Sequence, residues 1–128
     1  MVAGHVEDLE PGIYRYRPSG HGMAGIRNGD HRKALARAAL GQGWIAQAPI
    51  TVVIAGAVAR TAKKYGRRAE RYMFMEAGHA AQNVYLQAQS EGLGTTAVGA
   101  FQDREVQAML GMATDETPLY LLPVGAPR

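Results

Sequence analysis

The chain has 128 residues, 47% hydrophobic and 20% charged, a balance that suits one globular domain with a buried core rather than a disordered segment. It holds no cysteine, which excludes disulfides, thiolate metal sites and a cysteine nucleophile, and makes a reducing, cytoplasmic setting the natural expectation. The net charge of +3 is local in origin: Arg60, Lys63, Lys64, Arg67, Arg68 and Arg71 are opposed there only by Glu70, a stripe that attracts phosphate, nucleic acid or peptide, or forms a solvated face.

The first residues lack the basic start and apolar core of a signal peptide. Residues 12–17 alternate apolar and charged side chains between Pro11 and Pro18, which predicts a short strand. Residues 18–29, with four glycines, read as loop. Asp30 is a good cap for a helix over 31–40 that Gly41 closes, with Ala34, Leu35, Ala38 and Ala39 as its buried stripe. The β-branched run 50–55 predicts a central strand covered on both faces. The wider near-apolar run from Ala48 to Ala59 is too short to cross a bilayer, which takes about 20 residues. A long helix is expected over 68–91, apolar on several sides and so largely buried, then a strand over 95–100, a helix from Asp103 to Leu110 and a last strand over 119–124. Alternating strands and helices in this order predict an α/β or α+β sandwich.

Three segments carry candidate chemistry. In Arg60-Thr-Ala-Lys-Lys-Tyr-Gly66, read as a crowded basic loop, neighbouring cations would favour the deprotonated forms of both Lys64 and Tyr65 and suit the pair to proton transfer; the alternative is a surface turn ending at Gly66. Glu76 and His79 share a helix face, the spacing of half a carboxylate-bridged metal site. No second Glu-x-x-His occurs, so these two, with Gln82 and Asn83, are better read as hydrogen-bonded groups tying a buried helix to its surroundings, and no metal is expected. The glycines at 92 and 94 follow a helix and precede a strand, the reverse of a dinucleotide fingerprint, and Gly92 serves better as a helix stop. At the far end of that strand, Gly99-Ala100 offers little side-chain bulk, so a flat ligand could reach the main-chain N–H groups.

Taken together, Leu9-Glu-Pro-Gly-Ile-Tyr-Arg-Tyr16, Lys64-Tyr65-Gly66, Glu76-Ala-Gly-His-Ala-Ala-Gln-Asn83, Gly92-Leu-Gly-Thr95, Gly99-Ala-Phe101 and Pro118-Leu-Tyr-Leu-Leu-Pro-Val-Gly125 resemble the SagB-type dehydrogenase branch of the nitroreductase superfamily, over nearly the whole chain from Leu9. The resemblance implies an α+β sandwich, a central sheet flanked by helices, in a homodimer that binds FMN at the subunit interface. It implies that the main chain at Val98, Gly99 and Ala100 donates to the flavin edge where hydride arrives. In azoline-oxidising members a Lys-Tyr pair matching Lys64-Tyr65 assists proton removal from carbon, on a small-molecule or peptide substrate. The family's N-terminal region, with an Arg-Arg-Ser-type phosphate motif and a Pro-Ser-Ala-Gly-Ala segment, has no counterpart in residues 1–128, and Arg128 is a poor stand-in for the C-terminal basic residue that grips the phosphate. The expectation is therefore half a flavin site on a single domain spanning 1–128, completed by a second subunit or a partner chain, with FMN held weakly or not at all. The alternative is a non-catalytic half-domain or partner subunit. A membrane or nucleic-acid role is not expected.

Overall fold

The β-branched run beginning at Ile50 becomes the spine of the molecule. In the computed structural model, which describes residues 1–127, six strands form one antiparallel sheet: β1 (Val2–Ala3), β2 (Gly12–Arg17), β3 (Gly22–Asn28), β4 (Ile50–Gly56), β5 (Gly94–Thr95) and β6 (Thr117–Gly125). Their order across the sheet is β3-β2-β1-β4-β6-β5. The helices are α1 (Arg32–Ala38), α2 (Val58–Tyr65), α3 (Ala69–Ser90) and α4 (Asp103–Met109). The mixed α+β sandwich expected from the sequence is the architecture found. Among the described residues no helix is long and apolar enough to cross a membrane.

Strand alternation sends neighbouring side chains to opposite faces. Val2, Thr51, Val53 and Leu121 point to one face, where Leu35, Ala38, Ile45, Val106 and Leu110 from α1, α4 and the turns beside them close the main core. Leu122 and Val124 point to the other, where α3 packs against β4 and β6. Helix α1 is anchored by Arg32, which is buried. Its guanidinium takes both carboxylate oxygens of Asp30 at 2.9 and 2.7 Å and also donates to the Ala48 carbonyl. Asp30 accepts the Arg32 main-chain N–H as well, so it braces the helix start although His31 occupies the cap position. The ion pair holds the Asp30 carboxyl at about 2, below the usual carboxylate range, chiefly through the Arg32 hydrogen bonds.

Four expectations are corrected. The glycine-rich stretch 18–29 is mostly β3, hairpinned onto β2 with Gly25 paired to Tyr14. The strand expected over 95–100 ends at Thr95; the chain then leaves the ladder, with the Ala97 N–H taken by the Tyr85 hydroxyl, and touches β6 again only where Val98 bridges Leu121. Lys64 and Tyr65 form the last turn of α2 rather than a loop, because Gly66, at φ 54° and ψ −131°, makes the sharp exit that a side chain would resist. Lastly, α3 buries only Ala69, Met73, Ala77, Ala81 and Ala88, a narrow stripe at largely four-residue spacing. Phe74, Met75 and Leu86 are exposed, as are Glu76, His79, Gln82 and Asn83, since residues 1–127 bring no second layer against that side.

Candidate functional site

The segment from Val98 to Gln102 is held by its own main chain at both ends. Val98 exchanges two hydrogen bonds with Leu121, donating at 2.8 Å and accepting at 3.0 Å. Gln102 donates to the Ala38 carbonyl at 2.8 Å. Between these anchors the Ala100 carbonyl accepts from the Gln42 side-chain amide at 3.0 Å. The N–H groups of Gly99, Ala100 and Phe101 have no acceptor among the described residues. A trans peptide sets its C=O and N–H in opposite directions. Because the Val98 carbonyl is turned onto β6, the Gly99 N–H is aimed away from the sheet.

Gly99 and Ala100 are exposed. A Cβ added at Gly99 would meet nothing closer than the Tyr120 ring at 4.0 Å, so the main chain there can be approached closely. At Gly99 no side chain among the described residues plugs this edge. A buried segment could not leave adjacent donors unpaired without a cost of about 1–3 kcal/mol each, so the edge either meets water or waits for an acceptor.

Lys64 and Tyr65 lie at the same end of the sheet as this edge. Val98 faces Leu121, and the chain from there runs antiparallel to β6 toward its Thr117 end. Gly56, paired with Thr117, leads from that end into α2. The Lys64 ammonium lies 5.1 Å from the Tyr65 ring centre, and the Tyr65 ring meets Tyr72 of α3 edge to face at 5.1 Å. Tyr65 is 45% exposed. It borders an open cavity of about 810 Å³ between α2, α3 and the ends of β4 and β6, with Arg60, Tyr72, Met73, Glu76 and His79 also on its wall. None of the residues lining this cavity comes from the Gly99–Ala100 segment.

Arg60, Lys63, Lys64, Arg67, Arg68 and Arg71 are all exposed, with no acidic partner within 4 Å among the described residues. Glu76 and His79 approach to 3.8 Å in solvent, and no group of three metal-ligating side chains occurs among the described residues. Arg128, expected to help grip a phosphate, lies outside the described residues. The sequence reading missed Gln42 and the Phe101 N–H. Gln42 is 58 residues from Ala100 in the chain, and no local pattern signals that contact.

Comparison with known proteins adds ancestry to this geometry. The family model described as "Nitroreductase family" matches residues 3–126. A protein of Methanocaldococcus jannaschii, named as a nitroreductase, is 48% identical over 120 residues, which are 94% of this chain and 60% of that relative. The chain thus spans less than two thirds of that relative's length. Among solved structures, one from Anabaena variabilis described as a nitroreductase superposes with a TM-score of 0.91 at 34% identity, covering 99% of this chain and 26% of the other. The NADPH:FMN oxidoreductase from Vibrio harveyi superposes with a TM-score of 0.64 at 25% identity, covering 75% of this chain and 45% of the other.

Proposed function

The chain belongs to the nitroreductase family, and on that premise we propose that it forms the flavin-edge half of an FMN-dependent oxidoreductase of the SagB-type dehydrogenase branch. The observation that carries this reading is the set of N–H groups at Gly99, Ala100 and Phe101 that find no acceptor among the described residues, with Gly99 and Ala100 exposed and Gly99 open to close approach. A flavin ring edge presents acceptors, and fixed donors facing it favour the charge that develops on reduction. The fit is therefore good for the ring. For the phosphate, which calls for charge-assisted donors, this segment offers main-chain N–H groups alone. We place the phosphate grip on a second copy of the chain or on residues beyond those described, with residues 1–128 lacking the family's N-terminal region.

When bound, FMN supplies a carrier for hydride taken from or given to substrate. Val98 fixes the height of the edge through its bonds to Leu121, while Gly99 and Ala100 would donate to the ring. The Lys64–Tyr65 pair would accept the one proton that leaves carbon, and the Tyr72 ring holds Tyr65 in place for it. A small-molecule or peptide substrate would enter from the cavity side, and the exposed cations of residues 60–71 suit one that carries negative charge. The absence of cysteine suits a cytoplasmic setting.

FMN titration, followed by flavin fluorescence, tests the edge. Ala100→Pro removes one N–H and should weaken FMN binding about tenfold, while Ala100→Gly, which keeps the N–H, should leave it within about twofold. Equal affinity for all three proteins, or no binding to the native one, overturns the reading. A second reading draws on Phe74, Met75 and Leu86, which leave α3 apolar on its outer side: the chain is a non-catalytic subunit that covers this face with a partner. A stable monomer by light scattering contradicts it.

A further inference from the structure

We infer that Gln42 is a positioning residue for the flavin edge, fixing the Ala100–Phe101 peptide so that the Phe101 N–H stands as a further donor beside those of Gly99 and Ala100. This rests on the flavin reading above and adds to it a residue from a distant turn. Gln42 lies between α1 and the 3-10 helix Gly43–Gln47, and it is half-buried. Its side-chain amide has two hydrogens to donate. One goes to the Ala39 carbonyl at 2.9 Å and the other to the Ala100 carbonyl at 3.0 Å, so both are spent on main-chain acceptors. The Gln42 main chain is fixed too: its N–H donates to Ala39 at 3.2 Å, and its carbonyl accepts from Ile45, which has no exposed surface.

The consequence follows from peptide planarity. With the Ala100 carbonyl drawn toward Gln42, the Phe101 N–H of the same peptide group is turned the opposite way. The bond from Gln102 to Ala38 sets the next peptide, and the bridge between Val98 and Leu121 sets the one before Gly99. Without Gln42, the two peptides on either side of Ala100 lose their only polar tether among the described residues. They could then rotate together between the anchors. A donor free to rotate must be ordered when an acceptor arrives, and that ordering opposes binding. Gln42 removes this cost in advance, which is the form that preorganised donors take at sites where charge develops.

Gln42→Leu removes both donors at similar size, and Gln42→Glu keeps the shape while replacing the donor with an anionic oxygen facing a carbonyl. Gln47→Leu, at an exposed position that ends the 3-10 helix following Gln42, is the control. In cofactor-free protein, the backbone order parameter at Phe101 should be about 0.85 in the native chain and fall below about 0.6 in both Gln42 variants. Hydrogen-exchange protection at Gln102 should persist and report an intact fold. FMN affinity should fall about fivefold to tenfold in both, and not in the control. An unchanged order parameter at Phe101 in a folded Gln42→Leu protein overturns the positioning role whether or not FMN binds. A native chain that binds no FMN defeats the flavin reading and this inference's functional part together, while the order parameter still decides whether Gln42 tethers the peptide. If the Leu variant fails to fold, the Glu variant carries the same comparison.

Discussion

Tyr65 shows how one side chain can be placed by ordinary packing and still be available for chemistry. Its ring rests against Tyr72 and under the Lys64 ammonium, while nearly half of its surface stays open beside the cavity. Tyr65→Phe keeps the ring contacts and removes only the hydroxyl. If the pair moves a proton, oxidation of a thiazoline-containing model peptide, followed by mass as the loss of two hydrogens, should slow about 100-fold, the lower range for a positioned acid–base group. FMN uptake should not change. Equal turnover in the two proteins would falsify the proton-transfer role. The pair could be singled out in the sequence because Lys64-Tyr65-Gly66 is contiguous. Gln42 could not, because its contact with Ala100 exists only once α1 and the segment after β5 have folded onto the same face of the sheet.

At the scale of elements, the sequence predicted best where one local pattern decided the outcome. The β-branched run at β4 and the Asp103 start of α4 are of this kind. It misread the segments whose state is set by a distant partner. β3 is glycine-rich and becomes a strand because β2 supplies its ladder. The stretch after Thr95 has strand-like composition but leaves the ladder where the Tyr85 hydroxyl captures the Ala97 N–H. The start of α1 gives a prediction at this scale. Asp30 has a folded-state pKa of about 2, depressed by Arg32, so its stabilising contribution is complete above its unfolded value of about 3.9 and is lost as pH falls toward 2. Asp30 is partly exposed, so solvent screening limits the ion pair itself to about 1 kcal/mol. Asp30→Asn should lower stability at neutral pH by about that amount, and the gap between the two proteins should close between pH 4 and 2. Urea unfolding across that range measures it; a gap that is constant with pH would exclude the ion pair as its source.

The whole molecule is a two-faced sheet whose faces are unequally served. Helices α1 and α4 close one face with a true core. On the other, α3 touches the sheet through alanines and Met73 and turns Phe74, Met75 and Leu86 outward. Three large apolar side chains left exposed among the polar residues of a 22-residue helix are more apolar surface than a helix facing water usually carries. Under the proposed reading, the main chain at Gly99–Phe101 is what these residues bring to a flavin, so that contribution can be tested on this chain directly. The most direct measurement is a titration of isotope-labelled protein with FMN, read by amide nitrogen and proton shifts. The largest shifts should fall on Gly99, Ala100 and Phe101, with Lys64 and Tyr65 moving less and α4 still. Shifts centred on the basic stripe at residues 60–71, with 99–101 unmoved, would mean that phosphate charge alone draws FMN to the surface and that the ring does not meet this main chain.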